Sequence, residues 1–310
     1  MPRIHRKPLV SVWVGWIVGL LWVVTAQAQS SESPAQPQSQ SAQSQLRAVA
    51  HAGSGEVGLA GEFPDRYRGL DLEDGGQVPA LYFAAQTVPA KGAIVLLSDA
   101  GQGAASEFAQ GLGKRLSDSG WAVVSLGLEA PASGLERLLE EPGKAPGDAD
   151  PAKSGKGSVM IDVMKGKSPD DAVAAYRTRV LQALIAALTF ASDEGYSRPV
   201  LVGVGYGAGH ALEQAVAQPG TSALVWVAPD FYPTDASVLP ETLSGAAGLS
   251  VLELSPAERM GEARVRSVSV RKSGFPGYSL QPVAMASPPG EASAHAVANR
   301  ILAWLARQLP

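Results

Sequence analysis

Short apolar runs alternate with stretches of helix-spaced apolar residues along most of the chain. Val78 to Ala85 and Ala93 to Leu97 read as strands, the second as a continuous apolar run of the buried kind. A helix is predicted from about Ala104 to Ser117, where Phe108, Leu112 and Leu116 share one face, and Gly120 ends it. Trp121 to Leu126 is the next strand. Pro169-Asp170-Asp171 places proline and acids in a first helical turn, and Val173, Tyr176, Val180, Leu184, Ile185 and Leu188 then form one apolar stripe. Strands follow at Pro199 to Gly203, Ala223 to Val227 and Ser250 to Leu254, with a helix from about Tyr206 to Gln218. Arg264 to Val270 and Tyr278 to Val283 are read as two further strands. A last helix carries Val297, Ile301, Leu305 and Leu309 on one side. Strands alternating with helices predict an α/β fold, a mostly parallel central sheet with helices on both faces in three layers.

Three regions depart from this rhythm. At the start, Arg3, His5, Arg6 and Lys7 precede an uncharged run from Pro8 to Val24, then Ala26-Gln27-Ala28. A basic region, an apolar core and small residues at a cleavage site make residues 1–28 a signal peptide, cut after Ala28. The alternative is an uncleaved anchor, for which the run is slightly short of a ~20-residue span. Both predict export, with the periplasm as destination or the inner membrane if the anchor stays. Residues 29–66, rich in Gln, Ser, Pro and Ala at their start, are read as a flexible tether, so the folded domain is placed at 67–310. Residues 129–168 are rich in Pro, Gly, Lys, Asp and Ser and are read as a disordered or lid-like insertion, with one short helix near Leu135 to Glu140.

Composition narrows the chemistry. Hydrophobic residues at 45% and charged residues at 17% describe an ordinary globular chain. Removing Arg3, Arg6 and Lys7 from a segment without acids lowers the formal charge from −4 to −7. An acidic chain without a basic patch is poorly suited to nucleic acid. The absence of cysteine excludes disulfides, thiolate metal sites and a cysteine nucleophile, and rules out a lipoprotein anchor. His51, His210 and His295 lie far apart with no metal-ligand spacing, and no metal or cofactor is expected. The insertion lysines Lys144, Lys153, Lys156, Lys165 and Lys167 are read as solvating a loop.

The sharpest motif is Leu201-Val202-Gly203-Val204-Gly205-Tyr206-Gly207-Ala208-Gly209, which joins a buried strand to a helix. Its spacing is that of the G-x-S-x-G nucleophile elbow, a strained turn that needs small flanking residues, but glycine stands at the centre, at Gly205. A second frame centred on Gly207 has no nucleophile either. A dinucleotide loop fits less well, because the third glycine position is Ala208 and no acid follows the next strand until Asp230.

With Leu96-Leu97-Ser98-Asp99-Ala100-Gly101 and Gly120-Trp121-Ala122-Val123-Val124-Ser125-Leu126 in matching order, this elbow resembles those of α/β-hydrolases. More narrowly, the Gly-Trp strand, the glycine elbow and the export signal resemble a Gram-negative exported family of unknown function, over Val78 to Leu309. The resemblance implies oxyanion-binding amides near Ser98 to Ala100 and at Tyr206. It implies a triad acid after a late strand, at Glu258 or alternatively Asp230, and a histidine before the last helix, where His295 is the one available. Ser98-Asp99 replaces the His-Gly usual in active members. Ser98, Asp99, Gly205 and Tyr206 are therefore candidate ligand-binding residues, and Ser98, Asp230, Glu258 and His295 catalytic candidates. His210 is read as a packed helix residue. The expectation is a catalytically degenerate hydrolase fold that binds a small ligand or an envelope protein; the alternative is a working ester hydrolase with another nucleophile or an activated water.

Overall fold

The computed structural model describes residues 56–141, 168–218 and 221–309. The residues read as a signal segment, most of those read as a tether, including His51, and the predicted insertion beyond Glu141 lie outside the described residues. Eight strands, β1 (Tyr67–Asp71), β2 (Gln77–Phe83), β3 (Gly92–Ala100), β4 (Trp121–Leu128), β5 (Val200–Val204), β6 (Ala223–Val227), β7 (Ser250–Pro256) and β8 (Tyr278–Val283), form one sheet. Their order is β1-β2-β4-β3-β5-β6-β7-β8. The pairs β1–β2 and β2–β4 are antiparallel, and every other pair is parallel.

Successive residues of the buried strands point to opposite faces, and each face has its own core. Val95, Leu97, Val124 and Trp226 pack beneath α4 (Pro169–Asp193), α5 (Gly207–Ala217), α6 (Pro233–Gly245) and α7 (Met260–Lys272). Ile94, Leu96, Val123 and Val225 pack beneath α1 (Glu56–Glu62), α2 (Glu107–Asp118) and α8 (Glu291–Gln308). The short helix α3 (Ser133–Glu140) follows β4 and buries Leu139. Helix α4 starts where the sequence predicts it: Ser168 accepts from the Asp171 amide while Asp171 accepts from the Ser168 amide, closing a capping box ahead of Pro169. Among the described residues no helix is long and apolar enough to cross a membrane.

Three sequence expectations are corrected. Arg264 to Val270 is helix, not strand: its valines interspersed with polar residues are misleading, because Val265 and Val268 are exposed while Ala263, Ser267 and Val270 are buried at helical spacing. Helix α6 has no counterpart among the predicted elements; it carries Pro240 inside it and buries only Leu239 and Leu243, so its apolar signal is weak. The fold also begins before Tyr67, since α1 places Leu59, 1% exposed, in the α2–α8 core.

Strand order reverses at β3, which lies between β4 and β5. In open parallel sheets such a switch point opens a crevice at the carboxyl ends of the strands. Here those ends bring Ser98 and Asp99 beside Gly205 and Tyr206, with Leu97 in register with Gly203.

Candidate functional site

The turn after β5 is as tight as its glycines predict. A Cβ on Gly203 would stand 2.5 Å from the Gly207 carbonyl oxygen and 2.6 Å from Ala208 Cα, so only glycine lets strand and helix approach this closely. Gly205 itself has φ +51°, the left-handed region. Its amide donates to Val227 O (3.1 Å), and its carbonyl accepts from Asp230 N (3.0 Å), which ties β5 to the end of β6.

The space above Gly205 is filled by Asp99. A Cβ on Gly205 would collide with Asp99 Cγ and with both of its carboxylate oxygens. Oδ1 accepts from the Tyr206 amide (2.9 Å) and from the Ala100 amide (2.8 Å). These are the amides that the resemblance assigns to an oxyanion hole. One carboxylate thus stands where a nucleophile's side chain would project and takes both donors that a reacting oxygen would use. Oδ2 accepts no hydrogen bond from the described residues.

Around this pair the structure gathers Ser98 and Asp230 as well. Ser98 is buried and donates to the Gly103 carbonyl (3.3 Å), which stabilises the turn after β3. Asp230 follows Ala228, a non-glycine residue at φ +45°, and that strained turn aims the chain back at Gly205. Its carboxylate accepts from Arg259 Nη2 (2.6 Å) and Nη1 (3.1 Å). Arg259 also donates to Glu262 (3.0 Å), to Pro229 O (3.4 Å) and to Ser287 Oγ (3.4 Å), on the loop before α8. An arginine therefore spans the acid and the loop where the resemblance expects a histidine. Sequence reasoning does not single out Arg259; its one signal is that it follows Glu258 in a loop that holds a candidate.

The remaining candidates do not join the cluster. Glu258 is exposed, with no hydrogen bond or ion pair among the described residues. His295 is exposed on α8, with Asn299 Nδ2 3.5 Å from its Nδ1. His210 is buried on α5 with its ring edge-on to Tyr176 (centroids 5.7 Å apart), and neither ring nitrogen has a hydrogen-bond partner. Burial, helped by Arg177, lowers its pKa to about 4 and holds it neutral.

A family of proteins of unknown function, DUF3530, matches residues 13–301. The chain belongs to that family. No curated protein matches it. Among solved structures it is similar to the esterase domain of a Rhodothermus marinus protein, at 11% identity and TM-score 0.52, covering 79% of this chain and 99% of that one. It is also similar to dienelactone hydrolase from Anabaena variabilis, at 14% identity and TM-score 0.53, and to Est1E from Butyrivibrio proteoclasticus, at 9% and 0.50, each over 79% of this chain and 99% of the other. At these identities the likeness establishes the α/β-hydrolase fold alone.

In this DUF3530 member, electrostatics set the carboxylate of Asp99 apart. Burial raises its pKa above the usual carboxylate range; the two amides and Arg259 pull it down, and Asp230 adds to the rise. Tyr206 lies over the turn, stacked on Tyr232 (4.5 Å between centroids), and its hydroxyl donates to Glu140 on α3. Burial and Glu140 raise the Tyr206 phenol well above its ordinary value. A cleft of ≈ 370 Å³ opens between the end of β3, the start of α2 and residues 288–290. Among the described residues no three His, Asp or Glu side chains converge as a metal site requires.

Proposed function

We propose that this is an exported envelope protein, of the Gram-negative kind, in which a hydrolase fold has lost serine-type acyl transfer and acts by binding. The observation that carries this reading is the Asp99 carboxylate over Gly205. Acyl transfer needs an attacking atom, a base to activate it and donors for the developing oxyanion. Gly205 supplies no attacking atom. Both amide donors are held by Asp99, and Asp230 is engaged by Arg259 rather than by a histidine. Export rests on the basic start, the apolar run and Ala26-Gln27-Ala28.

Protein purified from cells expressing the full chain is expected to leave short and medium p-nitrophenyl esters unhydrolysed above the buffer rate. Turnover typical of esterases would refute the degenerate reading. Mass spectrometry of the same preparation is expected to give an N-terminus after Ala28; an intact Met1 would mean that the segment stays as an anchor.

A second reading, ester hydrolysis through a non-standard nucleophile or an activated water, is favoured by one feature: Asp99, whose Oδ2 accepts no hydrogen bond from the described residues, lines a cleft. It predicts turnover that Asp99→Asn abolishes and His295→Ala leaves unchanged.

A further inference from the structure

Helix α7 buries Ala263, Ser267 and Val270 and turns its other face to solvent. With successive residues about 100° apart, Arg264, Val265, Val268, Arg271 and Lys272 fall within an arc of about 120° on that outer face, with Val268 at its middle. All five are exposed, Val265 at 72% and Val268 at 51%. Every other described helix exposes at most one large apolar side chain. The three cations make no side-chain hydrogen bond or ion pair among the described residues. The neighbouring arginines differ: Arg266 is held by Glu253, and Arg259 by Asp230 and Glu262. Arg271 and Lys272 suit the negative end of the helix dipole, but Arg264, in the second turn, does not, and the dipole gives no reason for two valines in water. In a chain of formal charge −4, three unpaired cations around two bare valines form a distinct patch.

We infer that the outer face of α7 docks on an anionic phospholipid surface. Val265 and Val268 press into the boundary between headgroups and acyl chains, and Arg264, Arg271 and Lys272 meet the phosphates around them. Apolar side chains ringed by Lys and Arg are the composition by which a helix lies in a membrane interface, and the long basic side chains can lay their stems along the apolar layer while their charges stay in water. The size of the face favours lipid over a protein partner. Thirteen helical residues make a stripe about 20 Å long and about 10 Å wide, on the order of 200 Å². A stable protein interface takes about 800 Å² from each partner. A fluid surface deforms around the side chains it receives, and its hold grows with each buried apolar group and each cation. The inference holds whether the strand-end site binds or catalyses, since it concerns a different face of the molecule.

Co-sedimentation with vesicles tests it, using protein purified from full-chain expression so that any leader is common to all variants. Vesicles of equal parts phosphatidylglycerol and phosphatidylcholine are expected to bind the protein at least about tenfold more tightly than phosphatidylcholine alone, and to lose most of that preference at high salt. Arg264→Gln, Arg271→Gln and Lys272→Gln together should weaken binding to the mixed vesicles by roughly a hundredfold, about fivefold for each cation. Val265→Ser with Val268→Ser keeps every charge and should weaken it about tenfold, which separates insertion from adsorption by charge alone. These side chains are exposed, so both variants should melt with the parent. Val57→Ser, at a site 84% exposed on α1 across the sheet, should change nothing. Equal binding to both kinds of vesicle, or parent-like binding by either multiple variant, would overturn the inference. So would binding to soluble poly-L-glutamate as tight as to the mixed vesicles, which would assign the face to an acidic protein instead.

Discussion

Two carboxylates of the same sheet, Asp99 near the carboxyl end of β3 and Glu253 in the middle of β7, are treated by the protein in opposite ways. Glu253, on β7, is fully buried and saturated. Its oxygens accept from Arg266 twice (2.7 and 2.9 Å), from Ser255 (2.9 Å) and from the Tyr278 hydroxyl. Asp99 is partly exposed and lines a cleft, with one oxygen held by two amides and the other accepting no hydrogen bond from the described residues. A saturated buried charge acts as an internal clamp and has no capacity left for a ligand. A half-saturated one at a strand end is held in place and still able to bind. The difference lies in which partners the fold supplies.

Substitutions can break this contrast, and the largest effect is expected at Glu253. Glu253→Ala leaves the Arg266 charge buried without its partner, at a cost of about 3–5 kcal/mol. That corresponds to a melting temperature lower by on the order of 10 °C. Replacing both by methionine should recover most of the loss, since a buried pair swapped for apolar residues is often nearly neutral. A single variant within ~1 kcal/mol of the parent would show that Glu253 is not a clamp.

His210 sharpens the comparison, because it is a buried ionisable group with neither ring nitrogen hydrogen-bonded. Its folded pKa of about 4 lies below its ordinary 6.5. Between those values the unfolded chain binds the extra proton, so stability is complete above about pH 6.5 and falls as the pH drops towards 4, by on the order of 3 kcal/mol. Urea unfolding at pH 7 and pH 4.5 should show this decline in the parent and its near absence in His210→Phe, which keeps the ring against Tyr176.

At Asp99 the expected effects are smaller and coupled. Gly205→Ser forces a side chain into the Asp99 carboxylate and strains a left-handed turn, for a loss of about 2–3 kcal/mol. In an Asp99→Gly background the same serine should cost only the backbone part, about 1 kcal/mol, and a double-mutant cycle reads the difference. Additive effects would mean that Asp99 does not occupy the nucleophile's space. Asp99→Gly alone should cost about 1–2 kcal/mol by leaving two amides without their acceptor. Sodium formate, against sodium chloride at equal ionic strength, should then raise the variant's melting temperature saturably and leave the parent unmoved.

Much of the architecture is legible in the amino-acid sequence, because burial imposes its period on the chain. Continuous apolar runs mark β3, β5 and β6, and Pro169-Asp170-Asp171 marks the start of α4. Gly203, Gly205 and Gly207 announce a close strand-to-helix turn, since those contacts exclude any Cβ. The pattern misleads where it is locally ambiguous: Val265, Val268 and Val270 are interspersed with polar residues much as in a strand, yet α7 leaves two of them in solvent.

What the sequence by itself determined is therefore a layered α/β chain with a glycine turn that cannot attack a substrate. The tertiary structure decided what stands in the nucleophile's place. Asp99 and Tyr206 are 107 positions apart, and only the pairing of β3 with β5 sets that carboxylate on those amides. Arg259 reaches Asp230 across 29 positions, through the loop that follows β7. Strand period and turn chemistry are short-range and can be read along the chain, whereas the partner of a charged side chain is chosen by whichever strand ends the sheet places side by side.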